Sequence, residues 1–170
     1  MGSVTTAELG GPDVLSLERQ LCFALAVTSR SVIAAYRPIL EPLGLTHPQY
    51  LVMLTLWERQ PRSLREIAVT LRLEPATLSP LVKRLEAGGL VARERSSQDE
   101  RQLALKLTPK GEALRQEAEQ VPGKVVEALG IDVDELIDLH ARLTSILDRI
   151  APHPGGTAEG EVDLRAPSAP

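Results

Sequence analysis

SLREIAVTLRLEPATLSPLVKRLEAGGLVARERSSQDERQLALKLT, residues 63–108, carries three structural signals in succession, and together they leave few architectures open. Ser63 and Glu66 have the spacing of a capping box, in which each side chain satisfies the other residue's orphan backbone donor. Leu64, Ile67, Ala68 and Leu71 then recur at helical spacing, so a short amphipathic helix is expected to begin here. After Leu73 a second helical set follows, Leu78, Leu81, Val82 and Leu85, which Gly88-Gly89 ends with a left-handed cap that glycine adopts at no steric cost. From Leu90 the period changes to two. Leu103, Leu105 and Leu107 alternate with other residues, and the polar run from Ser96 to Glu100 separates them from VARER, which predicts a hairpin.

Helix, tight turn, helix and hairpin in that order make a winged helix-turn-helix, in which the second helix enters the major groove and the hairpin wing reaches a flanking minor groove. The expected partner is double-stranded DNA. The helix LSPLVKRLEAGGL and the wing DERQLALKLT resemble the MarR family of dimeric bacterial transcription regulators, where an Asp-x-Arg pair at the wing tip precedes an alternating strand. The resemblance covers about residues 15–150.

A chain of 170 residues can bury a substantial core in one domain. Hydrophobic residues make up 43% and aromatic residues 2%, so that core must be Leu, Val, Ile and Ala, which suits packed helices better than a sandwich. The net charge of −4 argues against a non-specific polyanion binder, so DNA binding requires positive charge to be concentrated somewhere. Between Arg59 and Lys110 there are eleven Lys or Arg against six Asp or Glu, a local net of +5 set against −9 elsewhere. A basic face on an acidic body suits a regulator that must both hold DNA and let go. A single Cys excludes an intrachain disulfide framework and a Cys-rich zinc site, and three scattered His form no cluster, so neither metal nor cofactor is implied. With no long apolar run and no signal-peptide pattern at the start, a cytoplasmic protein with no membrane partner is expected.

Outward from the central stretch, residues 1–14 lack periodicity and are expected to be flexible. From Ser16 as N-cap, Leu17, Leu21, Leu25, Val32 and Ile39 recur near heptad spacing through a helix of about 25 residues, which Pro42 and Gly44 stop. Thr46 and Gln49 form a second capping box, opening a helix to about Arg59 whose apolar face is Tyr50, Leu51, Leu54, Leu56 and Trp57. Thr108 as N-cap with Pro109 starts a further helix, interrupted at Pro122-Gly123. Asp132 with Glu135 opens the last one, where Leu136, Leu139, Leu143, Ile146, Leu147 and Ile150 make a stripe with no other use in the chain. The expected fold is mainly α: one domain over 15–150, with a winged helix-turn-helix at about 46–108 between long N- and C-terminal helices, about 15–42 and 108–150, that form a dimerisation layer. The tail 151–170 is Pro/Gly-rich and reads as disordered. A two-fold dimer would set two recognition helices about one DNA turn apart on a pseudo-palindromic operator.

Within the recognition helix, Thr77, Ser79 and Lys83 are placed to reach base edges and phosphates, and Arg84 either flanks the groove or pairs with Glu86. Two starts are open for this helix. If it begins at Glu74, Pro80 lies one turn inside and should bend it; if Ser79 is the cap, Thr77 belongs to the turn. On the wing, Arg93, Arg95 and Arg101 can meet phosphates, with Arg101 suited to a narrow minor groove and Asp99 suited to orienting its guanidinium.

Cys22, read by itself on an amphipathic helix, is a small buried hydrophobe. Its surroundings change that reading. QLCFAL, AYRPIL, PLGL and HPQYLVMLTLW resemble the organic-hydroperoxide-sensing branch of the MarR family, the OhrR type, whose sensor Cys stands at this point of the first helix and whose oxidation releases DNA. The resemblance implies that tyrosine hydroxyls hold the thiolate, and Tyr36 matches one of them. Tyr36 lies fourteen residues after Cys22, about 21 Å along a helix, so the contact is expected from the other subunit. Two positions depart from the branch: Ala26 and His47 stand where relatives carry Tyr. His47 either supplies an imidazole in place of the hydroxyl or simply occupies the first turn. The expected function is a homodimeric DNA-binding repressor, not an enzyme, that leaves its operator when an organic hydroperoxide oxidises Cys22, the sulfenic acid then taking up a low-molecular-weight thiol. The alternative is release by a small aromatic or phenolic ligand with Cys22 structural. A thiol peroxidase is disfavoured by the missing resolving Cys and α/β pattern.

Overall fold

The computed structural model describes residues 15–95 and 103–150. Two compact units partition the chain, Met1–Gly130 and Ile131–Pro170. The first contains α1 (Leu21–Leu40), α2 (His47–Glu58), β1 (Arg62–Ser63), α3 (Leu64–Leu71), α4 (Pro75–Ala87), β2 (Val91–Arg95), β3 (Leu103–Leu107), α5 (Pro109–Ala118) and α6 (Val121–Leu129). The second contains α7 (Val133–Ile150). The expected flexible segments 1–14 and 151–170 lie outside the described residues.

Both capping boxes form. Glu66 Oε2 accepts from the backbone N–H and the hydroxyl of Ser63 at 2.7 and 2.8 Å, while Ser63 Oγ accepts from Glu66 N at 3.2 Å. Gln49 Oε1 accepts from the N–H and hydroxyl of Thr46, both at 2.9 Å. Tight turns follow where expected: Gly44 and Gly89 take φ +68 and +70, the left-handed geometry that a Cβ would penalise. The core joins Val52, Met53 and Leu56 of α2, Ile67 and Ala68 of α3, and Leu78, Val82 and Leu85 of α4 to Leu105 and Leu107 of β3. Full burial of each Leu or Ile is worth about 1.5–3 kcal/mol, so this cluster fixes α3 and α4 against α2 and the sheet.

Several expectations need correction. Ser16 does not open the long helix: it precedes a 3-10 turn, Leu17–Arg19, without a side-chain capping bond, and Gln20 is extended at ψ 122, so α1 begins at Leu21. On α2 the buried apolar residues are Tyr50 and Leu56, as expected, with Val52 and Met53, whereas Leu51 is half-buried and Leu54 is 41% exposed; a helix apolar almost all round has no single face for periodicity to find. Leu103 is 54% exposed despite its place in the alternation, because it sits at the outer end of the wing. The sheet has three strands in the order β1-β3-β2, all antiparallel, and β1 was not anticipated because two residues carry no periodicity. The break between α5 and α6 falls at Glu119-Gln120, with Pro122 in the first turn of α6, where a missing N–H costs nothing.

Taken by itself, α7 is opened by Asp132, whose Oδ1 accepts from Asp134 N at 2.9 Å. None of its residues is buried: Ile137, Leu139, Leu147 and Ile150 are 40–69% exposed and Leu136, Leu143 and Ile146 half-buried.

Candidate DNA-reading face and thiol site

The two possible starts of the recognition helix resolve in favour of Glu74. The carbonyl of Glu74 accepts from the N–H of Thr77 and Leu78 at 3.0 and 3.1 Å, and Pro75 occupies the first helical position. Thr77 therefore stands in the first turn of α4, exposed. Leu78, Val82 and Leu85 anchor the inner face at 0–1% exposure, which turns Thr77, Pro80, Lys83 and Arg84 to the outside and leaves Ser79 half-buried. Lys83 and Arg84 make no ion pair among the described residues. Glu86 pairs with Arg93, not Arg84: Arg93 Nε donates to Glu86 Oε1 at 2.9 Å. The Gly88-Gly89 turn folds β2 directly back from α4, which brings the two side chains together and makes Arg93 a clasp between recognition helix and wing. Arg95 lies in register with Leu103. Asp99 and Arg101 lie outside the described residues.

The other end of the helix-turn-helix is fixed by Arg62, buried at 7% exposure. Its Nη2 donates to Glu58 Oε2 and its Nη1 to Thr70 Oγ1, at 3.2 and 3.3 Å, tying α2, β1 and α3 together.

Cys22 is exposed in the first turn of α1, and so is Ala26 one turn on. Tyr36, near the other end of α1, meets His47 at the start of α2 edge to face, with ring centroids 5.0 Å apart and planes at 67°. Tyr50 adds a third ring, 6.1 Å from Tyr36, and Trp57 a fourth, 6.3 Å from Tyr50. Burial raises the pKa of Tyr36 and Tyr50 above that of an exposed phenol and lowers that of His47. At neutral pH the phenols thus remain donors and the imidazole is uncharged, donating from one nitrogen only. The structure brings Tyr36 and His47 together; it separates both from the Cys22 of the same chain by most of the length of α1. Tyr50 and Trp57, read from sequence as core, were missed as members of this cluster. Their spacing from His47, three and ten residues along one helix, was the available signal.

Residues 34–118 match the transcriptional regulator SarA/Rot family. The organic hydroperoxide resistance transcriptional regulator of Bacillus subtilis is 36% identical over 138 residues, 81% of this chain and 94% of that protein. The HTH-type transcriptional regulator TtmR of Methylorubrum extorquens is 41% identical over 151 residues, 89% of this chain and 77% of that one. Among solved structures, AbfR of Staphylococcus epidermidis is 39% identical, covers 78% of this chain and 92% of its own, and superposes with a TM-score of 0.61. AbfR structures include the reduced protein bound to DNA, the overoxidized protein bound to DNA and a disulfide form.

A short helix-turn-helix clamped to a three-stranded wing, with an outward basic recognition helix, defines a DNA-binding transcription regulator of the winged-helix class, and its relatives are regulators rather than enzymes. The chain belongs to the MarR family, in the branch of the organic hydroperoxide resistance regulator.

Proposed function

We propose that the chain acts as a homodimeric repressor that binds a pseudo-palindromic operator and releases it when an organic hydroperoxide oxidises Cys22. The observation that carries this reading is the placement of an exposed thiol at one end of α1 and a half-buried Tyr36–His47 pair at the other. A second copy, packed antiparallel along α1, brings thiol and pair together across the interface. The apolar edge that such packing would cover includes Leu21, Leu25 and Ile33, which are 40–63% exposed in the single chain.

The thiolate of Cys22 attacks one oxygen of the hydroperoxide; the O–O bond breaks, the departing alkoxide takes a proton and leaves as the alcohol, and the sulfur becomes a sulfenic acid. Before the attack, the protonated Tyr36 hydroxyl and neutral His47 of the partner subunit donate hydrogen bonds to the thiolate. Afterwards a neutral S–OH accepts those bonds less strongly, so the interface relaxes. The sulfenic acid then condenses with a low-molecular-weight thiol, releasing water. Thr77, Ser79, Lys83 and Arg84 read the major groove, Arg95, Asp99 and Arg101 serve the wing, and Arg93 holds the wing to α4. Cys22→Ser tests the reading: it should bind DNA as tightly as wild type and ignore cumene hydroperoxide.

One observation favours a second effector. A groove of about 470 Å³ is lined by Ile33, Arg37, Glu41, Leu45, Thr46 and His47, and its apolar wall with polar groups of both signs can take a small phenolic or aromatic acid. Release by such an acid that persists in Cys22→Ser would favour that reading.

A further inference from the structure

The His47–Tyr36–Tyr50–Trp57 rings do not end in the core. The Trp57 indole N–H donates to the carbonyl of Gly111, in the first turn of α5, at 2.9 Å, and Arg115 Nη1 of α5 returns a bond to Trp57 O at 3.4 Å. The N-terminal end of α5 in turn holds the carbonyls of the turn that follows the recognition helix. Thr108 Oγ1 donates to Gly89 O at 2.6 Å, Lys110 Nζ donates to Gly88 O at 2.9 Å, and Thr108 N donates to Leu90 O at 3.1 Å. Gly111 backs directly onto the Leu90 carbonyl oxygen, which any Cβ there would overlap, so the two segments have no slack between them. An unbroken run of contacts leads from the Tyr36–His47 pair to the C-terminal end of α4, all of it inside one compact unit.

We propose that Trp57 is the positioning residue that couples the Tyr36–His47 pair to the recognition helix. This rests on the reading of that pair as part of the sensor. The ring-to-ring distances, 5.0 to 6.3 Å, are those of packed aromatic contacts, where a displaced ring forces its neighbour to move or opens a void. Trp57 is pinned at its far edge by a hydrogen bond, so a shift of its ring is delivered to the Gly111 peptide instead of being absorbed by rotation. Thr108 and Lys110 then carry it to Gly88 and Gly89. The C-terminal end of α4 is displaced while its inner face stays anchored by Leu78 and Val82, and Lys83 and Arg84 change their approach to the groove.

The test is a double-mutant cycle on DNA affinity in the reduced protein, which needs no peroxide. Tyr36→Ala removes a ring from the run; Trp57→Phe keeps a ring but removes the N–H that grips Gly111. The probe is a fluorescein-labelled duplex selected from a random library by the wild-type dimer. With Trp57 present, Tyr36→Ala should change affinity by roughly tenfold; in the Trp57→Phe background the same change should be less than about twofold. Equal effects in the two backgrounds overturn the coupling, because additive effects mean that Tyr36 does not act on DNA affinity through Trp57. Trp57 is the chain's single tryptophan, which supplies an independent readout should Trp57→Phe fold poorly. Saturating duplex should shift the emission of wild-type Trp57, and an unaltered spectrum contradicts the proposal. Cumene hydroperoxide is then added to wild type. Failure of that arm alone removes the peroxide reading and leaves the outcome of the cycle standing.

Discussion

At the scale of single residues, His47 carries the sharpest expectation. Its imidazole meets Tyr36 edge to face, and burial lowers its pKa, so in the proposed sensor its part is that of a neutral donor to the thiolate. His47→Ala should raise the pH at which Cys22 becomes reactive and slow its alkylation at neutral pH, while His47→Tyr should retain much of the rate; superimposable rate–pH curves would remove His47 from the site. The same burial has a consequence for stability. A His whose folded pKa is depressed leaves the unfolded chain binding more protons, so stability is fully present above the unfolded value near 6.5 and is lost as pH falls below it. The decline of Tm between about pH 7 and 5 should be shallower in His47→Gln than in wild type. Cys22, Tyr36 and His47 were singled out in the sequence because the words around them resemble a known branch, and the structure pairs the last two. Tyr50 and Trp57 were not, because an apolar ring at helical spacing is indistinguishable from core until its neighbours are known.

At the scale of elements, the helix-turn-helix was legible to within a residue or two wherever a cap marked the boundary: Ser63, Thr46, Thr108 and Asp132 open α3, α2, α5 and α7. Where no capping bond forms, as at Ser16 and Glu74, the sequence left the start wrong or open. The Glu86–Arg93 clasp shows the limit of reading charges one by one, since its two members are joined only by the fold of the Gly88-Gly89 turn. Glu86→Gln should loosen the wing from α4 and raise amide exchange in β2 more than in α3, whereas equal protection in both would show that the ion pair has no part in holding the wing. Gly111→Ala drives a Cβ into the Leu90 carbonyl and should cost more than about 2 kcal/mol in urea unfolding, with Tm falling in step. Lys83→Ala and Arg84→Ala should weaken DNA binding while leaving Tm within a degree or two, as expected for exposed positions. If either left affinity unchanged at every salt concentration, that side chain would not face the groove.

At the scale of the whole molecule, the proposed sensor is completed in trans, each Cys22 answering to Tyr36 of the partner subunit. The length of α1 makes this a geometric requirement, since its two ends cannot meet within one chain. Mixed dimers separate the alternatives. A dimer of one Cys22→Ser chain with one Tyr36→Phe chain keeps one thiol facing one intact phenol across the interface, and none within a chain. A dimer of wild type with a chain carrying both substitutions keeps the pair within one chain and loses it across the interface. The measurement is the rate at which the remaining Cys22 of each purified mixed dimer is oxidised by cumene hydroperoxide, followed by intact mass. Completion in trans predicts a wild-type rate per thiol in the first dimer and a slow rate in the second; the reverse order, or equal rates in both, would contradict it.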